Sequence, residues 1–441
     1  MKINFNWKLI FFQFFFFLRE EIEDIKRLKE LVPADFLLND EIEKLPVIGI
    51  TKIATSRALT TMKGPGDSSN PEQSFGSFAC AKVVSNYPLI PGRPFREGDP
   101  ICDRYYLKMY ENRIVIALAD GCNWGERPRK AAKRASKRFI EIIDEYHDQI
   151  VSVRAAGPIL LYAYSEAHKS IIRDFDEESA IPPGTTTLIG GILLQIQPKK
   201  GSKIQNIVTN PNESNEWAFV FATLGDCKFF RYCAHSKIIS DLTIDNRNCL
   251  DSTDPGGRLG GSGPDLRNLN INYQIVNEGD YIFAVSDGIY DNFDPQHRGV
   301  SPREFNIPQD KWEDIPDTGL ISLTKSKYIL DEITKLILDE QGNTTPQRIT
   351  LRLLEFCTNL TKTSRDFMEA NPTQKLPGDF KLYPGKLDHA TCVCIRVGRV
   401  TLSYKDWVTS SETTFDVIGD HPSSWKTPNL AAMRQSVIKK P

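Results

Sequence analysis

The chain has 441 residues, of which 40% are hydrophobic and 25% charged. Those are the proportions of a soluble globular protein that can bury a large core, in one large domain or roughly two to three average ones. Lys and Arg number 55 against 57 Asp and Glu, a net charge of -2, which leaves no electrostatic case for nucleic acid or an anionic membrane as main partner. Nine cysteines are scattered without a CxxC pair. An odd, dispersed set excludes a secreted disulfide framework and fits reduced thiols in the cytoplasm or nucleus.

In chain order, the apolar stretch from Leu9 to Leu18 is too short to span a bilayer. It follows Lys2 and Lys8 as a signal-peptide core does, but "REEIED" comes next instead of a small-residue cleavage site. Membrane association is not expected, although this stretch leaves it open. Residues 19–45 read as a charged helical lead, and "TMKGPGDSSNPEQSFG" (61–76) as a linker. "RIVIALAD" is a buried strand. The helix after it carries Ala131, Ala135, Phe139, Ile142 and Tyr146 at helical spacing. "PILLYAYSEAHKSIIRDF" is a second amphipathic helix, and "TTTLIGGILLQI" is a strand pair or one long strand. "EWAFVFATLGDCKFFRYC" reads as a hairpin with a Gly-Asp turn. "YIFAVSDG" is another buried strand, "KYILDEITKLILDE" and "PQRITLRLLEFCTNL" are helices, and "ATCVCIRVGRV" is a late strand. Cys392 and Cys394 share a face of it and read as small buried side chains. Residues 198–216 and 361–386 read as irregular. Strands in clusters and helices in blocks predict a mixed α/β (α+β) fold with largely antiparallel sheets.

Four aspartates recur in one setting. Asp120 and Asp287 end strands, Asp226 sits in a tight turn, and Asp388 precedes the last strand. Any one of them alone is an ordinary turn residue. If they converge, they repel one another unless a cation lies between them, and oxygen-only ligands suit hard ions such as Mg²⁺ or Mn²⁺.

In order, "ALADGCNWG", "GTTTLIGGILL", "FATLGDCKFF", "FAVSDGIYDN" and "LDHATCVCIRV" resemble the successive motifs of the PPM-type metal-dependent protein phosphatases, the protein phosphatase 2C-like family. The likeness spans roughly residues 78–400. "DPGGRLGGSGPDLRNL" with "ADGCNWG" resembles a divergent eukaryotic branch. The resemblance implies a four-layer sandwich of two packed antiparallel β-sheets flanked by α-helices, with two Mg²⁺ or Mn²⁺ ions between the sheets and a third, weaker ion in some members. Carried over by motif, Asp120 bridges both ions and the Gly121 carbonyl binds one. Asp287 and Asp388 complete the first ion's ligands. Asp226 matches the aspartate of the third ion, with Asp291 assisting. The family's upstream Arg-x-x-x-Glu matches Arg93, for the substrate phosphate, and Glu97, for the second ion. Gly98 stands where an acid usually follows, so Asp99 is the alternative ligand.

The implied reaction is attack of metal-activated water on phosphoserine or phosphothreonine, with Arg93 and the ions neutralising the phosphoryl oxygens. Cys122 stands where many members carry a proton-donating His; a thiol can donate that proton but is a poorer match, so activity is expected to survive at a lower rate. His389 replaces a usual Asn and either orients Asp388 or is structural. Trp124 and Asn123 replace glycines and either narrow the site mouth or simply pack. The first reading is therefore an active metal-dependent serine/threonine phosphatase acting on phosphoproteins. The second is a pseudophosphatase serving as a binding or regulatory module, motivated by Gly98, Cys122 and the Arg93/Glu97 pair. A third, nucleotide binding through "DPGGRLGGSG", lacks both GxxxxGK[ST] and a strand-linked GxGxxG. The expected organisation is a lead and linker (1–76), a phosphatase domain (77–400) and a tail (401–441), in a monomer. Residues 241–275, with Arg258, and 294–325 are the expected substrate-facing loops.

Overall fold

The strand β5 (Arg113–Ala119) is buried at every position, which requires cover on both faces. The computed structural model, which describes residues 19–20, 22–66, 72–175, 181–197, 217–244, 246–247 and 254–401, supplies that cover. β5 lies inside a six-stranded sheet of order β1-β4-β5-β7-β8-β12. Its other strands are β1 (Thr60–Gly64), β4 (Arg104–Tyr110), β7 (Leu188–Gln195), β8 (Trp217–Leu224) and β12 (Asn270–Val276). A second six-stranded sheet has the order β10-β9-β13-β14-β3-β2. It comprises β2 (Gln73–Phe75), β3 (Ala79–Ser85), β9 (Lys228–Cys233), β10 (Ile238–Asp241), β13 (Tyr281–Val285) and β14 (His389–Arg396). Every pairing in both is antiparallel. A two-residue pair, β6 (Thr185–Thr186) with β11 (Leu259–Gly260), lies beside them.

The two sheets pack face to face. Leu107, Ile116 and Phe219 from the first meet Ala81, Phe229 and Val393 from the second in one buried cluster. Outside the first sheet lie α3 (Glu126–Glu145) and α4 (Val153–Ile172). Outside the second lie α5 (Asp287–Phe293), α6 (Thr318–Ile337) and α7 (Pro346–Leu360). This is the four-layer arrangement that the motifs imply. Apolar burial holds it, at about 1.5–3 kcal/mol for each large side chain fully withdrawn from water.

Four expectations change. Residues 61–76 are not simply a linker, because they supply β1 and β2. The lead joins the core: α1 (22–30) and α2 (Asn39–Lys44) bring Ile25, Leu28 and Ile42 into the cluster under α4. The stretch 361–386 contains a helix, α8 (Lys362–Ala370). The largest correction concerns "FVFATLGDCKFF". β8 and β9 do not pair as a hairpin but lie in different sheets, and the Gly225-Asp226 turn carries the chain between them. The apolar start, residues 198–216 and the tail from 402 lie outside the described residues.

Phe139 on α3 stands over Gly190 of β7, where a Cβ would come within 2.4 Å of the ring. It packs edge-on against Tyr164 of α4 at 5.7 Å. Phe139→Ala is expected to lower stability by about 3–5 kcal/mol through the cavity it leaves, read as a lower urea midpoint with unchanged slope.

Candidate active site

Antiparallel pairing decides where the acidic residues meet. Arg104, at the start of β4, is paired with Ala119, at the end of β5. Asp103 and Asp120 are therefore neighbours at one end of the first sheet. In the second sheet Val285 pairs with Cys392 and with Lys228. Asp287, Asp388 and the Asp226 corner accordingly sit at one end of that sheet. Thr391 of β14 ties the two ends together, its hydroxyl donating to Asp103 Oδ2 at 2.5 Å.

The backbone here is fixed by residues the motifs contain for that purpose. The Asp120 carbonyl accepts from the Thr186 hydroxyl at 2.7 Å and from the Thr187 amide at 2.8 Å. The Asp120 amide donates to Thr187 Oγ1 at 3.1 Å, so "GTTTL" is the clamp on "ADG". Gly288 lies against β14 so closely that a Cβ would fall 1.9 Å from the His389 carbonyl oxygen. Gly225 has φ +101 and faces Thr187, which the corner between sheets requires.

Two side chains in this pocket were not recognised in the sequence, and both are cations. The Lys386 ammonium lies 2.5 Å from Asp287 Oδ2, 3.0 Å from Asp291 Oδ2 and 3.1 Å from Asp388 Oδ2. The Arg247 guanidinium lies 2.5 Å from Asp291 Oδ1 and 3.3 Å from Asp226 Oδ2. Burial alone would raise the Asp291 carboxyl, but Lys386 and Arg247 hold it well below the usual range. The remaining acids stay in excess. Asp226 is pushed up to about 7 by burial and by Asp287, against Arg247. Asp388 is likewise pushed up to about 7 by burial and by Asp287, against Lys386. Burial, then Asp103 and Asp287, hold Asp120 well above the carboxylate range. Burial raises Asp103 as well. Asp103 is another acid the sequence reading missed. Its only signal was a position just ahead of a strand, the same as that of Asp388.

The other expected residues divide. Gly121 sits beside Asp120, bridged to Thr186, with no room for a Cβ against the Pro128 carbonyl. The Cys122 thiol is pushed up to about 11 by burial, so it is neutral at physiological pH. Arg93 and Glu97 are on the loop between β3 and β4. Arg93 is exposed, 5.8 Å over the Phe95 ring, and neither forms an ion pair among the described residues. The Asp99 carboxylate accepts from the Arg96 amide at 2.7 Å within that loop. His389 is buried, and its Nδ1 accepts from the Cys102 amide at 3.4 Å, which is a structural role. Trp124 is 56% exposed and packs edge-on against the Tyr87 ring at 5.3 Å. Its indole N–H donates to the Tyr87 hydroxyl at 2.9 Å, and Tyr87 in turn donates to Asp388 Oδ1 at 3.0 Å. Arg258 is exposed, with its backbone bridged to Asp265.

The resemblance places divalent ions among these carboxylates. Asp226, Asp287, Asp291 and Asp388 do converge. Lys386 occupies the point where Asp287, Asp291 and Asp388 meet, and Arg247 lies between Asp226 and Asp291. As arranged, Asp287 and Asp388 face Lys386, and Asp226 faces Arg247, where the resemblance puts ions.

No family model matches the chain. A PP2C-like domain-containing protein of Drosophila melanogaster is 28% identical over 226 residues, a match that covers 49% of this chain and 29% of that relative. A serine/threonine phosphatase of Mycobacterium tuberculosis is 12% identical, with 73% of this chain and 100% of that one covered at a TM-score of 0.37. The S. agalactiae serine/threonine phosphatase is 12% identical over the same shares, at a TM-score of 0.39. The fold assignment rests on the strand order and layer packing described above.

For Asp226 the folded pKa, about 7, lies above the ordinary aspartate value of about 4. The folded state binds more protons in that window, so this group's contribution to stability is present below it and lost as pH rises through it. Asp226→Asn is expected to melt increasingly higher than wild type as pH rises from about 5 to about 8. A difference that is flat or shrinks over that range contradicts the assignment.

Proposed function

We propose that this PP2C-like chain is a pseudophosphatase, a domain that keeps the phosphatase scaffold as a protein-binding and regulatory module, with hydrolysis weak or absent. One observation carries the reading: Lys386 sits on Asp287 and Asp388, ligands the resemblance gives to the first ion, and Arg247 sits on Asp226 and Asp291, those of the third. With Lys386 on two of the first ion's ligands, water activation there is disfavoured, and the protonated Cys122 offers no thiolate in its place. What it does offer is a recess. A cavity of about 1120 Å³ opens beside Arg247 and Asp291, between β10 and α6. Its walls carry Lys237 and Lys327 and the exposed Ile238 and Leu323. Asp241, Asp291, Asp294 and Asp331 line it too, three of them paired with Lys228, Arg247 and Lys325; Lys237, Lys327 and the apolar pair are the groups to meet a phosphorylated segment of a protein partner, in the cytoplasm or nucleus.

A second reading has its own support. Lys386 and Arg247 match only two of the six acids in the pocket. Asp103, Asp120, Asp226 and Asp388 are all raised towards protonation, and sites that take up protons in this way also attract divalent cations. On that reading the chain is a metal-dependent serine/threonine phosphatase.

Phosphopeptide hydrolysis by the full chain separates the two. No turnover above a protein-free control, with or without Mn²⁺, is expected, together with binding of phosphopeptide in preference to its unphosphorylated form. Turnover that needs Mn²⁺ and disappears with EDTA or in Asp287→Asn establishes the second reading.

A further inference from the structure

Lys386 is not a flexible surface lysine that has drifted into an acidic pocket. Its backbone is gripped on both sides by Asn292, a fully buried residue of α5. The Asn292 side chain accepts from the Lys386 amide at 2.9 Å and donates to the Lys386 carbonyl at 3.1 Å. The preceding Gly385 has φ +86, and a Cβ there would meet Asn292 Oδ1 at 2.7 Å. Its amide donates to the His297 carbonyl at 2.7 Å. The chain is therefore shaped to deliver this side chain to this point.

The ammonium has three donors and meets one oxygen of each of three carboxylates. Two of these, Asp287 and Asp291, lie on α5, and Asp388 lies ahead of β14. One acceptor remains. Asp287 Oδ1 is buried and has no hydrogen-bond partner, although the residue is only 8% exposed. A buried carboxylate oxygen without a partner is costly. It marks a cluster with more ligand capacity than one ammonium can use.

We propose that Lys386 holds the place of a divalent cation. Its ammonium neutralises Asp287, Asp291 and Asp388 and keeps hard ions out, and removing it uncovers a Mg²⁺/Mn²⁺ site made of those three carboxylates. The inference rests on the pseudophosphatase reading and adds the residue that enforces it. A hard ion bound by carboxylate oxygens needs the position the ammonium nitrogen occupies, and the two positive charges repel. An Arg or Lys at this point serves equally to exclude the ion. A neutral side chain leaves Asp287 and Asp388 without a counter-charge and Asp291 with Arg247 alone, which destabilises the fold until an ion enters.

The test is Mn²⁺ titration of the full-length wild type, Lys386→Gln, Lys386→Met and Lys386→Arg, by calorimetry and by the melting temperature. Wild type and Lys386→Arg are expected to show no specific binding. Lys386→Gln and Lys386→Met are expected to melt lower without metal, to recover with Mn²⁺, and to bind it about tenfold or more tighter than wild type, with the gain lost when Asp287→Asn is added. Specific Mn²⁺ binding by wild type, or no gain in either neutral variant, overturns the proposal. So does failure of both to fold even with saturating Mn²⁺, since an ion would then not replace the ammonium. The two readings fail separately. Mn²⁺ binding by wild type without phosphopeptide turnover ends this proposal alone, whereas turnover with no Mn²⁺ binding ends only the pseudophosphatase reading.

Discussion

Mutual repulsion of buried carboxylates is the constraint around which this protein is organised. Two antiparallel sheets packed face to face bring strand ends from distant parts of the chain to one edge. At that edge lie Asp103, Asp120, Asp226, Asp287, Asp291 and Asp388. A low-dielectric pocket cannot hold six ionised acids without compensation. Compensation comes in two forms. Lys386 and Arg247 supply fixed positive charge, and four of the acids rise towards protonation.

The remaining features of the site follow from the need to hold that arrangement still. Thr186 and Thr187 fix the backbone of Asp120. Asn292 fixes the backbone of Lys386. Tyr87, backed by Trp124, fixes Asp388. Gly121, Gly225 and Gly288 lie where elements approach too closely for a side chain. In a metal-dependent site such a frame holds ligands around an ion. Here the same frame holds acids around an ammonium and a guanidinium.

Much of this was legible in the chain itself. Continuous apolar runs such as "RIVIALA" can only be interior strands, and helical spacing placed Phe139 and its neighbours on the core face of α3. The recurring Asp beside a strand end, in fixed order, pointed to the site and to the PP2C-like resemblance that a relative now shares. Local pattern misled where a pairing partner lay elsewhere. β8 and β9 have the look of a hairpin, yet they enter different sheets. Residues 61–76 have the composition of a linker, yet their pairing makes β1 and β2.

What the sequence alone determined is the set of elements and the chemical type of the pocket, because periodicity and strand-end acids are local properties. What only the tertiary structure decided is the sign of the charge at the centre of that pocket. Lys386 is two residues from Asp388 and Arg247 lies in a loop. Nothing local distinguishes either from a solvated surface cation. Long-range packing between sheets, and the Asn292 grip, turn both inward.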